Sequence, residues 1–474
     1  MKNLIKLLCI FVFISLFLVC QFSWAEDSEL DKRELPAWYQ DAKLGIFVHW
    51  GIYSVPAFAK GNITFEEATK TFAFDKWFFN NPYSAWYLNS MKIVGSPTYE
   101  YHLATYGKDF PYENFIVDFN KSIENWDPNS WATLFKEAGA KYVVLTTKHH
   151  DGFLLWHSET PNPFITNYQA SRNIVAELTD AVRNQNLAMG LYYSSGLDWT
   201  FKTEPITDIM SFFTNIPQQQ EYIKYIDTHW RELIKRYKPE ILWADIGSPN
   251  DFDAESMIKY YYDVVPKGVV NDRHKNMLTA QGIVSAVHYD FLTPEYTVFP
   301  NINPKKWEST RGIGLDFSYN KFEDEKDYLS INELVDMLVD IVSKNGNLLL
   351  GVAPRPDGSI PEAQIQRILG LGAWLKINGE AIYASRCWER AEGMTSDGIP
   401  VRFTQNNGNL YVILLEKPKN LSIIIPKLKI ASKSKIHLLG IEEVLTWNQE
   451  GEDLVIQFPE VYPESEAYVL RVNY

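Results

Sequence analysis

Short apolar runs alternate with longer amphipathic segments over most of this 474-residue chain. The apolar runs, which predict strands, lie at residues 44–50, 141–147, 188–194, 241–245, 269–273, 289–295 and 347–353. The amphipathic patterns, which predict helices, lie at residues 130–138, 174–186, 218–237, 254–264, 331–344 and 362–377. Runs that are apolar at every position, such as 142–145, are typical of strands buried on both faces of a parallel sheet. The alternation therefore predicts a TIM-like (β/α)₈ barrel rather than an open sheet, with the missing strand unassigned within residues 61–115 or 307–327.

The sequence pattern changes in the last ninety or so residues, where short strand-like segments replace the long amphipathic ones. Short candidate strands lie at residues 401–404, 410–414, 421–425, 435–439 and 454–458, and the sequence NNGN at 406–409 is a hairpin turn signal. This pattern predicts a C-terminal antiparallel β-sandwich. We therefore expect a catalytic barrel over residues 26–384 and a sandwich over residues 385–474.

Residues 1–25 have the features of a secretory signal peptide. Lys2 and Lys6 precede an apolar run of about a dozen residues, and Ser23 and Ala25 put small side chains at the positions that a signal peptidase recognises. The run is shorter than the ~20 residues of a membrane span, and the bulky residues before Cys20 make a poor lipoprotein signal. We expect cleavage after Ala25 and export, with the compartment left open and no membrane attachment afterwards.

The net charge argues against nucleic-acid and anionic-lipid partners, and the cysteine content argues against a disulfide. The net charge is −14 and no basic patch is present, so nucleic acid and anionic lipid are not expected partners. Cys387 is the only cysteine outside the predicted signal, so no intramolecular disulfide is expected. Aromatic residues make up 15% of the chain, which suits a core and also an enzyme that stacks sugars. Nothing in the sequence indicates the oligomeric state.

Polar residues close six of the predicted strands. They are His49, the run from Lys148 to Asp151, Tyr192 with Tyr193, Asp245, Asp272 with Arg273, and Glu295. In a (β/α)₈ barrel the carboxyl ends of the strands meet at one mouth, where active sites form. The six positions together predict a polar site at this mouth.

Asp245 is the strongest candidate for a catalytic residue. Strand alternation puts Trp243 and Asp245 on one face, so that a carboxylate lies beside an aromatic wall. Negative charge in that position stabilises the oxocarbenium-like transition state of glycoside hydrolysis. Its alternative role is a helix N-cap for residues 254–264, but Asp251 and Asp253 lie closer to that helix.

Glu295 is the candidate general acid. Pro294 ends the preceding strand abruptly, and Tyr296 is expected to desolvate the carboxyl group and so raise its pKa, as a general acid requires. Asp290 and Glu308 are rival candidates for the same role.

No cofactor and no metal are expected. His149 and His150 are adjacent, and consecutive strand residues point to opposite faces, so the pair does not readily bind one ion. Hydrogen bonding to a hydroxyl-rich substrate is the better interpretation, with a structural role for one of the two as the alternative. Nucleotide-binding glycine motifs and a Gly-x-Ser-x-Gly elbow are absent from the sequence.

Seven stretches resemble α-L-fucosidases of glycoside hydrolase family 29. They are WYQDAKLGIFVHWG (38–51), KYVVLTTKHHDGF (141–153), GLYYSSGLDW (190–199), ILWADIG (241–247), VNDR (270–273), WESTRGIGL (307–315) and KNGNLLL (344–350). They occur in order and span most of the predicted barrel.

The resemblance implies a barrel followed by a sandwich, and two-step hydrolysis of terminal α-L-fucosides of glycans with retention. It implies that Asp245 is the nucleophile and that Glu295, in a Glu-Tyr pair, is the acid/base. The implied fucose-binding residues are His49, His149, Tyr192 and Arg273, with His150 nearby, and Trp86 and Phe317 form an apolar wall against the methyl group of the sugar.

One position departs from the family pattern. Family members often carry a glutamate immediately before the tryptophan that corresponds to Trp86, and here the residue is Ala85. Glu66 or Glu67 is a candidate substitute. Two other functions stay open at this point: a fucose-binding protein without catalysis, and a retaining exo-glycosidase that acts on β-D-galactosides.

Overall fold

Seven parallel strands form the central sheet of the N-terminal part of the chain. The computed structural model describes residues 29–71, 73–279 and 282–473. The first nine strands are β1 Leu44–Val48, β2 Tyr142–Lys148, β3 Ala188–Ser194, β4 Ile241–Asp245, β5 Val269–Val270, β6 Asn276–Thr279, β7 Gly282–Ser285, β8 Trp307–Gly312 and β9 Gly346–Val352. The central sheet has the order β5-β4-β3-β2-β1-β9-β8, and β6 and β7 form a separate hairpin. Residues of β1, β2, β4 and β9 are buried throughout, as expected for a sheet covered on both faces.

An irregular segment fills the place between the two edge strands. Phe291 pairs with Asn271 beyond β5, while Leu292 pairs with Trp307 of β8, both in parallel orientation. The segment was expected to be a strand at 289–295, but Pro294 lacks the N–H that a regular ladder requires. With this segment included, the sheet has eight positions, and the predicted TIM-like barrel is confirmed.

The strand that the sequence did not assign is β8. Its residues Glu308, Ser309 and Thr310 are polar and buried at 0–1% exposure. Hydrophobic patterning cannot detect a buried strand made of polar side chains, because it takes polarity as a sign of exposure. The other unassigned region, residues 61–115, contains helices.

Helices surround the sheet and fill the connections. The α-helices are α1 Ala37–Ala42, α2 Phe65–Thr71, α3 Phe74–Phe79, α4 Tyr87–Ser90, α5 Pro97–Tyr106, α6 Phe115–Ser122, α7 Pro128–Glu137, α8 Ile174–Asn184, α9 Ile209–Thr214, α10 Gln220–Tyr237, α11 Ala254–Val264, α12 Ile331–Ser343 and α13 Glu362–Asn378. Side chains cap several of the long ones: Asn173 accepts from the Ala176 N–H, Asp253 from Ser256 and Ser330 from Glu333. Asp253 therefore takes the capping role considered for Asp245.

A buried carboxylate organises the barrel interior. Glu308 accepts hydrogen bonds from the Tyr39 hydroxyl at 2.9 Å, from the Tyr142 hydroxyl at 2.5 Å and from the Trp243 indole N–H at 3.1 Å. Gly45 on β1 makes room for this cluster, because a Cβ there would lie 2.2 Å from the Tyr142 ring. The three donors reach Glu308 from α1 and from two strands, so the bonds tie the elements together.

The C-terminal region contains two antiparallel sheets. Its strands are β10 Arg386–Met394, β11 Pro400–Asn406, β12 Asn409–Leu414, β13 Ser422–Ile425, β14 Lys435–Leu438, β15 Val444–Leu445, β16 Trp447–Glu450, β17 Asp453–Gln457 and β18 Tyr468–Asn473. One sheet has the order β10-β11-β12-β18-β14-β15 and the other β13-β17-β16. Apolar residues of both sheets form one core. Asn407 and Gly408 have positive φ in the β11–β12 hairpin, as its NNGN sequence predicts.

Ion pairs and hydrogen bonds join the two regions. Asp340 on α12 pairs with Lys344 at 2.9 Å and with Arg402 on β11. The indole N–H of Trp374 on α13 donates to the carbonyl oxygen of Ala467 at 3.0 Å. These contacts hold the sandwich against the helices that flank β9.

The predicted signal peptide, residues 1–25, lies outside the described residues. Within residues 29–71, 73–279 and 282–473, no helix combines the length and the apolar character that crossing a bilayer would require.

The Glu308 cluster yields a stability prediction. Glu308→Ala should lower the free energy of unfolding by about 3 kcal/mol or more, because three buried donors lose their acceptor at ~1–3 kcal/mol each. Glu308→Gln keeps an acceptor for Trp243, so its free energy of unfolding should fall much less. Urea denaturation of the three proteins measures the difference, and equal losses in both variants would contradict the role of the hydrogen bonds.

Candidate active site

One cavity at the carboxyl ends of the strands contains every residue predicted for the site. Its volume is about 700 Å³. The ten predicted residues that line it are His49, Trp86, His149, His150, Tyr192, Trp243, Asp245, Arg273, Glu295 and Phe317. They come from segments spread over 269 positions of the chain, so the barrel alone brings them together.

Three hydrogen bonds hold the Asp245 carboxylate at the end of β4. The Tyr192 hydroxyl donates to Oδ2 at 2.7 Å, and Oδ1 accepts from Arg273 Nη1 at 2.9 Å and from the Ile246 N–H at 3.0 Å. Burial opposes ionisation, but the Arg273 charge and these donors outweigh it and lower the pKa of Asp245 below its ordinary value. The carboxylate is therefore ionised at neutral pH and held in one orientation.

Arg273 joins the two predicted catalytic carboxylates. Its Nη1 atom donates to Asp245 Oδ1 at 2.9 Å and to Glu295 Oε1 at 2.6 Å. Two further donors are occupied as well, since Nε and Nη2 bond to the Thr293 hydroxyl and carbonyl oxygens at 2.9 and 2.6 Å. Because one nitrogen contacts both carboxylates, the two oxygens cannot lie farther apart than these two contact distances together.

Glu295 lies at the end of the segment that completes the barrel. Its side chain is 29% exposed, more than the 11% of Asp245, and so it faces the open part of the cavity. Tyr296 was expected to cover this carboxyl group. Instead its hydroxyl donates to the Leu315 carbonyl oxygen, and its ring packs on Phe317 at 5.2 Å.

Each carboxylate is followed by a residue in the left-handed backbone region. The φ angles are +61° at Ile246 and +49° at Tyr296. This conformation is costly for a β-branched or aromatic residue and persists where the surrounding structure imposes it. At Ile246 it turns the backbone N–H onto the side chain of Asp245, so the strained turn contributes directly to the carboxylate's position.

Three buried histidines form one wall of the cavity. The His149 and His150 ring centroids lie 4.0 Å apart, and those of His49 and His149 lie 5.7 Å apart. Both members of the adjacent pair reach the same cavity because β2 ends at Lys148, so the alternation of a regular strand does not apply to them. Burial lowers the pKa of His49 to about 3 and of His150 to about 4, and it lowers the pKa of His149 as well. All three are neutral at neutral pH.

The hydrogen-bond partners of the histidine rings show which ring nitrogens donate and which accept. The Ser194 hydroxyl donates to the Leu197 carbonyl oxygen at 2.8 Å, so we assign the proton of His150 to Nδ1, which lies 2.7 Å from that hydroxyl. Nε2 of His150 is then an acceptor, 3.7 Å from Asp245. Within the described part of the chain, Nδ1 of His49 and Nδ1 of His149 are buried without a hydrogen-bond partner. Both atoms are inaccessible to solvent, so they are not contact points for a ligand in the cavity.

Aromatic residues form the rest of the inner wall. The Tyr192 and Trp243 rings stack at 5.5 Å, and the Arg273 guanidinium lies 4.8 Å from the Trp243 ring centroid. Phe317 packs on His49 at 5.2 Å, while Trp86 packs on His150 at 5.3 Å. An apolar surface therefore lies beside the polar groups, as a deoxy sugar requires.

Ala85 also lines the cavity, where the family pattern has a glutamate. The proposed substitute Glu67 does not take this place, because its Oε2 accepts from the N–H and hydroxyl of Thr64 at 2.7 and 3.1 Å. The side chain of Glu66 lies outside the described part of the structure. On the same helix as Glu67, Thr69 lines the cavity.

Neither rival carboxylate lines the cavity. Glu308 is bonded within the barrel interior, and Asp290 accepts from the Tyr262 hydroxyl at 2.7 Å and from the Val270 N–H at 2.8 Å. Among the described residues, no group of three or more His, Cys, Asp and Glu side chains is arranged to hold a metal ion.

The outer part of the cavity was missed in the sequence. It is lined by residues of α9 with the segment after it, and of the β6–β7 hairpin: Phe212, Phe213, Ile216, Met277, Val284 and Ser285. These residues lie in a short helix, the segment after it and a hairpin, none of which carries a motif, and the apolar ones resemble core positions. Only the loop after β3 and the hairpin after β5, both unusually long, signalled them in the sequence.

Two family models match the chain: "Alpha-L-fucosidase" over residues 20–380 and "Alpha-L-fucosidase C-terminal domain" over residues 396–473. The chain belongs to the α-L-fucosidase family. The α-L-fucosidase of Dictyostelium discoideum is 32% identical over 94% of this chain and 94% of its own length.

Solved fucosidases share the whole fold. The Thermotoga maritima α-fucosidase in complex with a mechanism-based inhibitor is 41% identical, covers 95% of this chain and 99% of its own, and gives a TM-score of 0.85. The same enzyme in complex with fucose is 42% identical over 94% of this chain and 98% of its own, with a TM-score of 0.83. The resemblance found in the sequence, the barrel-and-sandwich fold and the enzyme class of α-L-fucosidase are thus confirmed.

The buried histidines predict the acid side of the pH profile. A histidine whose pKa is lowered to about 4 stays neutral at pH 5–7 and gains a proton only as the pH falls further. We expect kcat/KM for a chromogenic α-L-fucoside to decline with a midpoint near pH 4 and not near 6.5. His150→Asn should move this limb to lower pH, since protonation of Asp245 occurs only below 3.8. A limb near pH 6.5 would show that a histidine protonates in the free enzyme.

Proposed function

We propose that this chain hydrolyses terminal α-L-fucosides of glycans by a two-step mechanism with retention, with Asp245 as nucleophile and Glu295 as general acid/base. The observation that carries the proposal is the bridge from Arg273 Nη1 to both carboxylates. Retaining glycosidases hold their two carboxyl groups about 5–5.5 Å apart, whereas inverting enzymes need roughly 6.5–9.5 Å to admit a water molecule. A shared nitrogen at 2.9 and 2.6 Å keeps the bridged oxygens closer together than the inverting range requires, which supports retention.

In the first step the Asp245 carboxylate attacks the anomeric carbon. Its lowered pKa keeps it ionised, and the bonds from Tyr192 and the Ile246 N–H hold it in place without reorganisation. Glu295, on the more open side, protonates the leaving oxygen. Glu295 enters this step in its protonated form, and while it is neutral the Arg273 guanidinium stays paired with the Asp245 carboxylate.

In the second step Glu295 removes a proton from water, and the water attacks the fucosyl-aspartate ester from the side that the leaving group vacated. The same residue thus acts first as acid and then as base, as microscopic reversibility requires. Asp245 is released as a carboxylate, and the sugar keeps its anomeric configuration.

The walls of the cavity support fucose as the sugar. The neutral rings of His49, His149 and His150 line the cavity as hydrogen-bonding partners for sugar hydroxyl groups, while Trp86 and Phe317 line it as an apolar surface for the methyl group. The Thermotoga maritima relative has been solved with fucose. Because Ala85 has no carboxylate, we expect one sugar hydroxyl group to be bound more weakly. A comparison of activity on p-nitrophenyl α-L-fucoside and p-nitrophenyl β-D-galactoside tests whether the sugar preference has changed.

Azide rescue assigns the two carboxylates independently. Asp245→Gly should lower kcat for p-nitrophenyl α-L-fucoside by on the order of 10⁶-fold, as for loss of another covalent nucleophile. Azide should restore turnover by direct attack and give β-L-fucosyl azide. In Glu295→Ala the ester still forms from this activated substrate, and azide should then give α-L-fucosyl azide.

Asp290→Asn is the matched control, because Asp290 is a hydrogen-bonded, buried carboxylate outside the cavity. It should keep substantial activity and show no azide effect. NMR of the azide products decides the outcome. The same anomer from both variants would refute the assignment, and a folded wild-type chain that binds fucose without turnover would favour a binding protein.

We propose export of the mature chain through cleavage after Ala25. The proposal rests on the basic, apolar and small-residue pattern of residues 1–25. Expression of the full sequence in a secreting host should give a product outside the cytoplasm that begins at Glu26 by N-terminal sequencing. A cytoplasmic product that retains Met1 would contradict it.

A further inference from the structure

Two separate segments carry the apolar wall of the cavity. Trp86 belongs to the short 3-10 helix Ser84–Trp86, and Phe317 belongs to the loop that follows β8. More than two hundred residues separate them in the chain. They touch through the rings of Tyr83 and Phe317, whose centroids are 5.6 Å apart.

A buried carboxylate fastens these segments to each other. Asp316 Oδ2 accepts from the Ser84 N–H at 2.6 Å, and Oδ1 accepts from the N–H and the hydroxyl of Ser318, both at 2.9 Å. Asp316 is 3% exposed and Ser318 is fully buried. Both carboxylate oxygens are thus used, one on each segment.

Ser318 continues the connection. Its hydroxyl oxygen accepts from the Ala85 N–H at 3.0 Å and lies 2.8 Å from the Ser84 hydroxyl, which also contacts the Tyr319 carbonyl oxygen at 2.8 Å. The set of bonds among Ser84, Ala85, Asp316, Ser318 and Tyr319 is called the clasp below. It ends directly beside Trp86 on one segment and Phe317 on the other.

The loop side of the clasp is itself fixed. Glu323 Oε1 accepts from the N–H groups of Leu315 and Asp316 at 3.0 and 2.9 Å, which holds the backbone leading into Phe317. None of the clasp side chains contacts the catalytic carboxylates. Of the five clasp residues, Ala85 alone lines the cavity. The effect of Asp316 on the reaction must therefore pass through the segments that carry Trp86 and Phe317.

We propose that Asp316 is a positioning residue that sets the spacing of Trp86 and Phe317, and that it thereby determines how strongly the enzyme selects a sugar with a methyl group at C5. The inference rests on the proposed function. A single carbon in a well-formed apolar pocket contributes roughly 10- to 200-fold to discrimination, and only while the walls stay in contact with it. Releasing one wall from the other should remove that contact and leave the polar contacts in place.

The test compares two p-nitrophenyl glycosides, the α-L-fucoside and the otherwise identical pyranoside with hydrogen in place of the C5 methyl group. For Asp316→Ala we expect the ratio of their kcat/KM values to fall by about tenfold, the equivalent of losing most of one apolar contact. The change should appear mainly as a higher KM for the fucoside. Asp316→Asn keeps one acceptor oxygen, so its ratio of kcat/KM values should lie between those of the alanine variant and the wild type.

Ser318→Ala and Asp290→Asn complete the design. Ser318→Ala removes the second link without deleting a buried charge, so it tests the clasp even where Asp316→Ala does not fold; it should lower the same ratio. Asp290→Asn makes the same chemical change at a buried carboxylate outside the cavity and should leave the ratio unchanged. Thermal unfolding of each variant identifies folded samples.

The positioning role would be overturned if kcat/KM fell equally for both glycosides. It would also be overturned if the ratio of the two kcat/KM values were unchanged in both Asp316→Ala and Ser318→Ala. Failure of the wild-type chain to hydrolyse the fucoside would instead count against the proposed function. The two failures are therefore distinguishable in one set of assays.

Discussion

The geometry of the site depends on the ion triad of Asp245, Arg273 and Glu295. Two carboxylates within reach of one nitrogen would repel each other in a buried site, and a buried arginine without partners would be equally unfavourable. Together they satisfy one another, and Thr293 accepts two further hydrogen bonds from the guanidinium. Arg273 follows β5, Asp245 ends β4 and Glu295 ends the irregular segment. The triad forms only where the barrel is complete between β4 and β8.

The histidines that surround the triad are uncharged. Burial keeps His49, His149 and His150 neutral, so this wall of the cavity adds no positive charge beside Arg273. Tyr192 and the Ile246 N–H supply dipoles aimed at Asp245. In such an environment a carboxylate interacts strongly with a developing positive charge, because little water screens it.

Local strain and buried polar groups are concentrated around this site. Ile246 and Tyr296 adopt left-handed conformations immediately after the two carboxylates. Glu308 lies fully buried below Trp243, and Asp316 lies buried behind Phe317. Each feature costs stability by itself and is stabilised by bonds from distant elements. The large apolar core of barrel and sandwich offsets these costs.

The sequence by itself determined the barrel and the sandwich, because apolar periodicity is a local property that burial imposes directly. Polar strand ends predicted a site at the barrel mouth that includes Asp245 and Glu295, whereas the fucose-binding roles, and Trp86 and Phe317 altogether, were implied only by the resemblance to the family. The sequence did not reveal β8, whose buried residues are polar, nor the irregular geometry of 290–295. It also left open whether His149 and His150 share a cavity, where Tyr296 points and what stands in for a carboxylate at Ala85. Tertiary structure alone decided the Arg273 bridge, the Asp316 clasp and the outer wall from α9 and the hairpin. The physical reason is that each of these joins residues far apart in the chain, and their partners are selected by three-dimensional packing and charge rather than by neighbouring residues.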